Sequence, residues 1–391
     1  MIPDPKTLKG NWNYPTRIWF GPGRIAELPE ACRALGIARP LLVTDPGLAK
    51  LAMITDALAA LGAAKLGAAP FGDLRPNPVG RNVVDGVAAF KAGKHDGVIA
   101  FGGGSAVDVG KAVAFMSGQT RKLWDFEDIG DNWTRANADS IAPIIAVPTT
   151  SGTGSEVGRV AVVTEEETHT KRLIFHPRIQ PSLVISDPAL TLGLPAKLTA
   201  ATGMDALAHN LEAYCSPVFH PQADGIALEG IRLVREWLPT AVADGANLTA
   251  RAYMMAASTM GATAFQKGLG AIHSLSHPVG AVYDTHHGLT NAVFMPYVLA
   301  FNRPFIEERI ARLAGYIGLP ANFSAFLDWV LELRAALGVP HTLAELDVGE
   351  DRLDELARMA TADPSAGTNP RPVGDAEHRM LLETSLAGRL P

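Results

Sequence analysis

Four short runs rich in Val and Ile, at residues 40–45 (PLLVTD), 97–101 (GVIAF), 141–147 (IAPIIAV) and 182–186 (SLVIS), are bounded by Gly, Pro and Asp. Runs of this length and make-up fit strands buried on both faces, which is the situation of a parallel sheet. Helical patterns lie between them, at residues 47–62 and 79–93, so the first part of the chain alternates strand and helix as a doubly wound sheet does. After Asp187 the character changes. Ala/Leu-rich helical stretches follow at residues 222–245, 248–268, 306–317, 322–337, 350–361 and 376–388, with no convincing strand among them.

The expected architecture is therefore an α/β Rossmann-like domain over residues 1–187 and an all-helical domain over 188–391, with the break near SDPALTLGLP. A chain of 391 residues, 47% hydrophobic and 19% charged, is long enough for two packed cores. The formal net charge of -6, with no dense Lys/Arg run, excludes a nucleic-acid partner. Two cysteines far apart, Cys32 and Cys215, suggest neither a disulfide framework nor a thiolate metal site, which fits a reducing cytoplasm. Residues 1–20 lack the apolar core of a signal peptide, and no apolar run is long enough to span a bilayer, so neither export nor a membrane is expected.

Gly102-Gly103-Gly104-Ser105 follows the strand at 97–101 and opens a helix near Val107, so its backbone N–H groups can meet an anion at a helix N-terminus. The spacing is neither GxGxxG nor a Walker motif, and a tight turn is the alternative. Asp108 adds a ribose or water contact. Asp45 ends the first strand where a doubly wound fold receives an adenosine ribose. A carboxylate there accepts from the hydroxyls and repels a 2'-phosphate, favouring NAD over NADP, and the alternative is a turn or capping role. The segment Pro148-Thr149-Thr150-Ser151-Gly152-Thr153-Gly154-Ser155-Glu156 sets small hydroxyls beside glycines at a third strand end, where they can reach a sugar or carboxamide or cap a helix.

Asp205 and His209 stand four apart in a strongly helical segment and project from one face. His273 and His277 repeat that spacing, and His286-His287 follow, so five of the eleven histidines and one aspartate fall in two short segments. Imidazoles with a carboxylate suit a borderline divalent ion such as Fe2+ or Zn2+, whereas Mg2+ or Ca2+ would call for more oxygen.

These segments resemble the iron-containing, or group III, alcohol dehydrogenases. The signatures are PNP at 76–78, GGGSAVD at 102–108, PTTSGTGSE at 148–156, GMDALAH at 203–209 and HSLSHPVGAVYDTHHG at 273–288, in order along nearly the whole chain. The resemblance implies a metal at the floor of a cleft between the two domains, held by Asp205, His209, His273 and His287, with spacing from His273 favouring His287 over His286. His277 would lie beside the nicotinamide as a proton-handling group. The cofactor residues implied are Asp45, Asn77, Gly103, Gly104, Ser105, Asp108, Thr149, Thr150, Thr153 and Lys171.

The activity implied is NAD(H)-linked interconversion of a primary alcohol and its aldehyde, with the ion polarising the substrate oxygen. A homodimer or larger homo-oligomer is expected. Three alternatives stand beside it: a reductase of an anionic semialdehyde, a dehydroquinate synthase-like lyase, and a non-catalytic nucleotide or metal sensor. Lys267, six residues before His273, is either an anion-binding group for such a semialdehyde or an exposed lysine at a helix end.

Overall fold

The computed structural model describes residues 10–12, 16–168 and 170–391. The expectation about a leader in residues 1–20 therefore lies largely outside the described residues. Two compact units make up the chain: residues up to Thr150 with Gly154–Gly193, and Ser151–Thr153 with Leu194–Pro391.

The first unit is built on a seven-stranded sheet. Its strands are β1 (Gly10–Trp12), β2 (Arg17–Phe20), β3 (Pro40–Thr44), β4 (Ala69–Phe71), β5 (Gly97–Gly102), β6 (Ile144–Pro148) and, after a two-stranded hairpin of β7 (Val160–Glu165) and β8 (Thr170–Phe175), β9 (Leu183–Ser186). The order is β1-β2-β9-β6-β5-β3-β4, antiparallel only between β1 and β2. Every residue of β3, β5, β6 and β9 is buried, as strands covered on both faces must be. Helices α1 (Leu28–Ala34), α2 (Ala52–Ala63), α3 (Gly80–Ala92) and α4 (Gly104–Met116) connect and cover them. At Gly110 a Cβ would lie 2.6 Å from that of Ala100, so glycine sets how closely α4 approaches β5. The sequence reading missed β1, β2, β4 and the β7–β8 hairpin, whose strands are short or only half-buried.

The second unit is helical throughout its described residues: α5 (Ala196–Cys215), α6 (Pro221–Ala243), α7 (Leu248–Ala264), α8 (Ala271–Tyr283), α9 (His287–Tyr316), α10 (Phe323–Ala336), α11 (Leu353–Ala362) and α12 (Asp375–Ala387). Only the end of α9 is legible in sequence, because Pro296 and Pro304 interrupt the helical pattern ahead of it. Burial of the stretch from Gly288 to Asn302 holds it helical regardless. The break between units falls later than Asp187. Asp187 accepts from Ile25 N–H and Ala189 N–H, both at 3.0 Å, and so ties the Pro188–Thr191 turn to the Arg24–Glu27 turn of the first unit. Among the described residues, no helix is long and apolar enough to cross a membrane.

Candidate metal centre and cofactor segments

Helix α5 carries Asp205 and His209 one turn apart, α8 carries His273, and His287 is the first residue of α9. Their donor atoms converge: Asp205 Oδ1 lies 3.8 Å from His209 Nε2, 4.0 Å from His273 Nε2 and 3.7 Å from His287 Nε2. All four donors fall within 4.8 Å of one another, and the first three residues are buried. Such separations are slightly wider than the edges of a tetrahedron of donors about 2.0–2.2 Å from one ion. Three imidazoles and one carboxylate in that array fit a divalent transition metal. His286, by contrast, is exposed and outside the group.

Close helix packing makes the convergence. A Cβ at Gly288 would sit 2.3 Å from the Ala201 carbonyl oxygen, and one at Gly261 would sit 2.7 Å from Asn210 Nδ2 and 3.0 Å from His209 Cβ. The second nitrogens of the two buried histidines, His209 and His273, are also engaged. His209 Nδ1 meets the Gly152 carbonyl at 3.2 Å and His273 Nδ1 meets Glu212 Oε2 at 2.6 Å, so each ring presents Nε2 as its lone-pair atom. Asn291, one turn beyond His287, donates to Asp205 Oδ1 at 2.7 Å.

Burial pushes His209 down to about 4, opposed by the Asp205 carboxylate, which keeps the ring neutral and able to donate its lone pair. Burial acts in the same direction on His273, but the carboxylates of Glu212, Asp205 and Asp363 together outweigh it and the ring titrates above its ordinary value. His277 is not among the four donors. Its ring stacks on His287 with centroids 5.4 Å apart, and its Nδ1 meets Asp363 Oδ2 at 2.7 Å.

In the first unit, the ends of β3, β5 and β6 bring Asp45, the Gly103–Ser105 turn, Thr149 and Thr150 together. Asp45 Oδ2 accepts Gly103 N–H at 2.8 Å, and burial raises its carboxyl despite that bond. Thr149 N–H donates to the Gly102 carbonyl at 3.0 Å, and Thr150 lies beside Gly103. The Ser105 hydroxyl donates to the Pro76 carbonyl, which fixes the turn carrying Asn77 against the start of α4. Lys171 on β8 pairs with Thr164, which bridges to Val79 beyond that turn. Thr153 belongs to the second unit.

Two expectations meet a different finding. Asp108 is only 6% exposed and its oxygens are engaged internally, accepting from the Ser155 hydroxyl and, at 3.2 Å, from Val162 N–H, with Lys111 Nζ at 3.1 Å. It braces the segment after the Thr/Gly run and does not present a free carboxylate. Lys267 is neither exposed nor open to a substrate anion: it is 2% exposed, and its Nζ donates to Asp224 Oδ1 at 2.6 Å and to the Tyr214 carbonyl at 3.3 Å. Sequence reasoning also missed Glu212, Asn291 and Asp363. The first two stand three and four residues beyond a histidine of the donor group on the same helix, a spacing that could have marked them, whereas Asp363 carries no local signal.

The profile of a family described as iron-containing alcohol dehydrogenase matches residues 15–188, and that of the Fe-containing alcohol dehydrogenase family, C-terminal, matches 199–386. The chain is 40% identical to the 4-hydroxybutyrate dehydrogenase of Cupriavidus necator over 95% of this chain and 99% of that one. Among solved structures, 1,3-propanediol oxidoreductase superposes with a TM-score of 0.90 at 38% identity, covering 94% of this chain and 97% of the other. The sulfoacetaldehyde reductase of Bifidobacterium kashiwanohense, in complex with NAD+, superposes with a TM-score of 0.86 at 30% identity over 95% and 97%.

Proposed function

The chain belongs to the iron-containing alcohol dehydrogenase family and is an oxidoreductase of the alcohol–aldehyde type, and from that premise we propose which residues carry the reaction. Asp205, His209, His273 and His287 hold the iron, with Zn2+ as the alternative ion. Asp45, Asn77, Gly103, Gly104, Ser105, Thr149, Thr150, Thr153 and Lys171 receive NAD. The single observation behind this reading is the group of one carboxylate oxygen and three imidazole nitrogens, each within 4.8 Å of the others and three of the four residues buried.

When bound, the metal supplies Lewis-acid polarisation of the substrate oxygen and NAD supplies the hydride acceptor. The rest falls to the chain. N–H groups at the start of α4 meet the pyrophosphate, and Asp45 accepts from the adenosine ribose while disfavouring a 2'-phosphate. Gly152 and Glu212 keep the Nε2 lone pairs of His209 and His273 turned to the ion. His277 handles the proton at Nε2, because its Nδ1 is committed to Asp363. The first unit thus acts as the dinucleotide-binding domain and the second as the metal and substrate domain.

Anaerobic purification, metal analysis and a screen of short aldehydes with NADH and NADPH test the reading. One metal ion per chain and net NADH oxidation are expected. A metal-loaded preparation that leaves NADH unconsumed across the panel would overturn it, and a synthase-like reaction would regenerate the cofactor. We also take the enzyme as a cytoplasmic homodimer or larger homo-oligomer; its two unbridged cysteines fit a reducing compartment, and light scattering tests the assembly.

A further inference from the structure

His273 and His277 stand one turn apart on α8, two identical side chains on one helix face, yet only His273 joins the donor group. The difference lies in their carboxylate partners. Glu212, on the same helix as Asp205 and His209, is 6% exposed; its Oε2 meets His273 Nδ1 at 2.6 Å and its Oε1 accepts Ile272 N–H at 2.7 Å. Both oxygens are thereby fixed to consecutive residues of α8. Asp363 meets His277 Nδ1 through Oδ2 at 2.7 Å, and its Oδ1 accepts Ser365 N–H at 2.8 Å. The turn Pro364–Thr368 that carries this bond is itself tied to the segment entering α8, since the Thr368 hydroxyl donates to the Leu269 carbonyl at 2.7 Å.

We propose that Glu212 and Asp363 are positioning residues that sort the two histidines into different roles: Glu212 fixes His273 as an ion ligand, and Asp363 holds His277 off the ion as the substrate-side group. The inference rests on the ligand assignment made above. An imidazole that donates Nδ1–H to an anchored carboxylate has one tautomer and one ring orientation, so its Nε2 direction is set. Ring stacking alone does not set it. His273 stacks on His209 at 4.7 Å with 19° between planes and His277 on His287 at 5.4 Å with 11°, and a stacked ring can still flip by 180° about χ2, which exchanges its edges and leaves the plane unchanged. The carboxylates remove that freedom, in one case toward the donor group and in the other away from it.

The test titrates chelator-stripped protein with Co2+ against a competing indicator, and measures kcat and KM at saturating metal. Asp205→Ala serves as the ligand benchmark. Glu212→Gln is expected to weaken Co2+ binding by about 10–100-fold. Asp363→Asn is expected to keep Co2+ affinity within about twofold of the parent while kcat falls by about tenfold or more and KM for NAD stays unchanged. Unchanged Co2+ affinity in Glu212→Gln, or equal losses of affinity in both variants, overturns the division of roles. Undiminished Co2+ affinity in Asp205→Ala overturns the ligand assignment itself, which is a separate failure. If Glu212→Gln does not fold, Glu212→Asp keeps the charge with a shorter reach, and the same loss of affinity relative to Asp363→Asn is required of it.

Discussion

The Lys267 ammonium donates to Asp224 Oδ1 at 2.6 Å, and its second bond, to the Tyr214 carbonyl, closes the C-terminal turn of α5. Arg309 reaches the same carboxylate at 2.5 Å and the same carbonyl, so one aspartate and one helix end are shared by two cations. A cation buried and charge-paired in this way is not open to a substrate anion.

Replacing it tests that statement. Lys267→Met is expected to lower stability by about 1–3 kcal/mol, because Asp224 loses a buried partner while keeping Arg309. The ratio of KM for anionic to neutral aldehydes should stay as it is. Thermal denaturation and paired kinetics check both, and a selective rise in KM for anionic aldehydes would contradict the burial.

The Asp108–Lys111 pair makes a sharper case. Lys111 is fully buried, and its Nζ also donates to the Ser155 carbonyl at 3.0 Å and to the Val160 carbonyl. Burial lowers the ammonium's proton affinity and Asp108 opposes that effect. Lys111→Met alone should cost about 3–5 kcal/mol by stranding Asp108, and adding Asp108→Asn should recover part of it. Denaturant unfolding of Lys111→Met, Asp108→Asn and the double variant measures the coupling. Strict additivity would mean that the pair does not act as a unit.

Gly288→Ala is expected to weaken metal retention without removing a ligand. The added methyl would meet the Ala201 carbonyl oxygen at 2.3 Å and Asp205 Cβ at 3.2 Å, so α5 and α9 must move apart and carry Asp205 and His287 with them. A stability loss of about 1–3 kcal/mol should accompany the change. Metal stoichiometry after dialysis and a thermal melt report the two effects separately.

Both cysteines should resist alkylation in the native protein. Burial pushes the Cys32 and Cys215 thiols up to about 12, so each stays protonated at pH 8 and shielded from reagent. Iodoacetamide followed by intact-mass analysis should find no adduct under native conditions and two after denaturation. Rapid native labelling of either would contradict this burial.

The sequence by itself determined the two-part architecture, since strand-length Val/Ile runs and helix-period Ala/Leu stretches are local signals of what each segment must bury. Four-residue spacing on one helix likewise made Asp205 and His209 a pair, because a helix turn alone puts them on one face. Only the tertiary structure decided the rest. The family resemblance assigns His273 rather than His277 to the ion, but what physically sorts these two equivalent histidines on α8, Glu212 61 positions from His273 and Asp363 86 positions from His277, appears only in the packed chain. Lys267 read as either an anion-binding or an exposed charge, and Asp108 as a ribose or water contact, until packing closed them against Asp224 and Lys111. Local periodicity says which side chains share a face of one element; what waits opposite that face is set by helix–helix approach distances, down to a missing methyl at Gly288, and no window of sequence contains them.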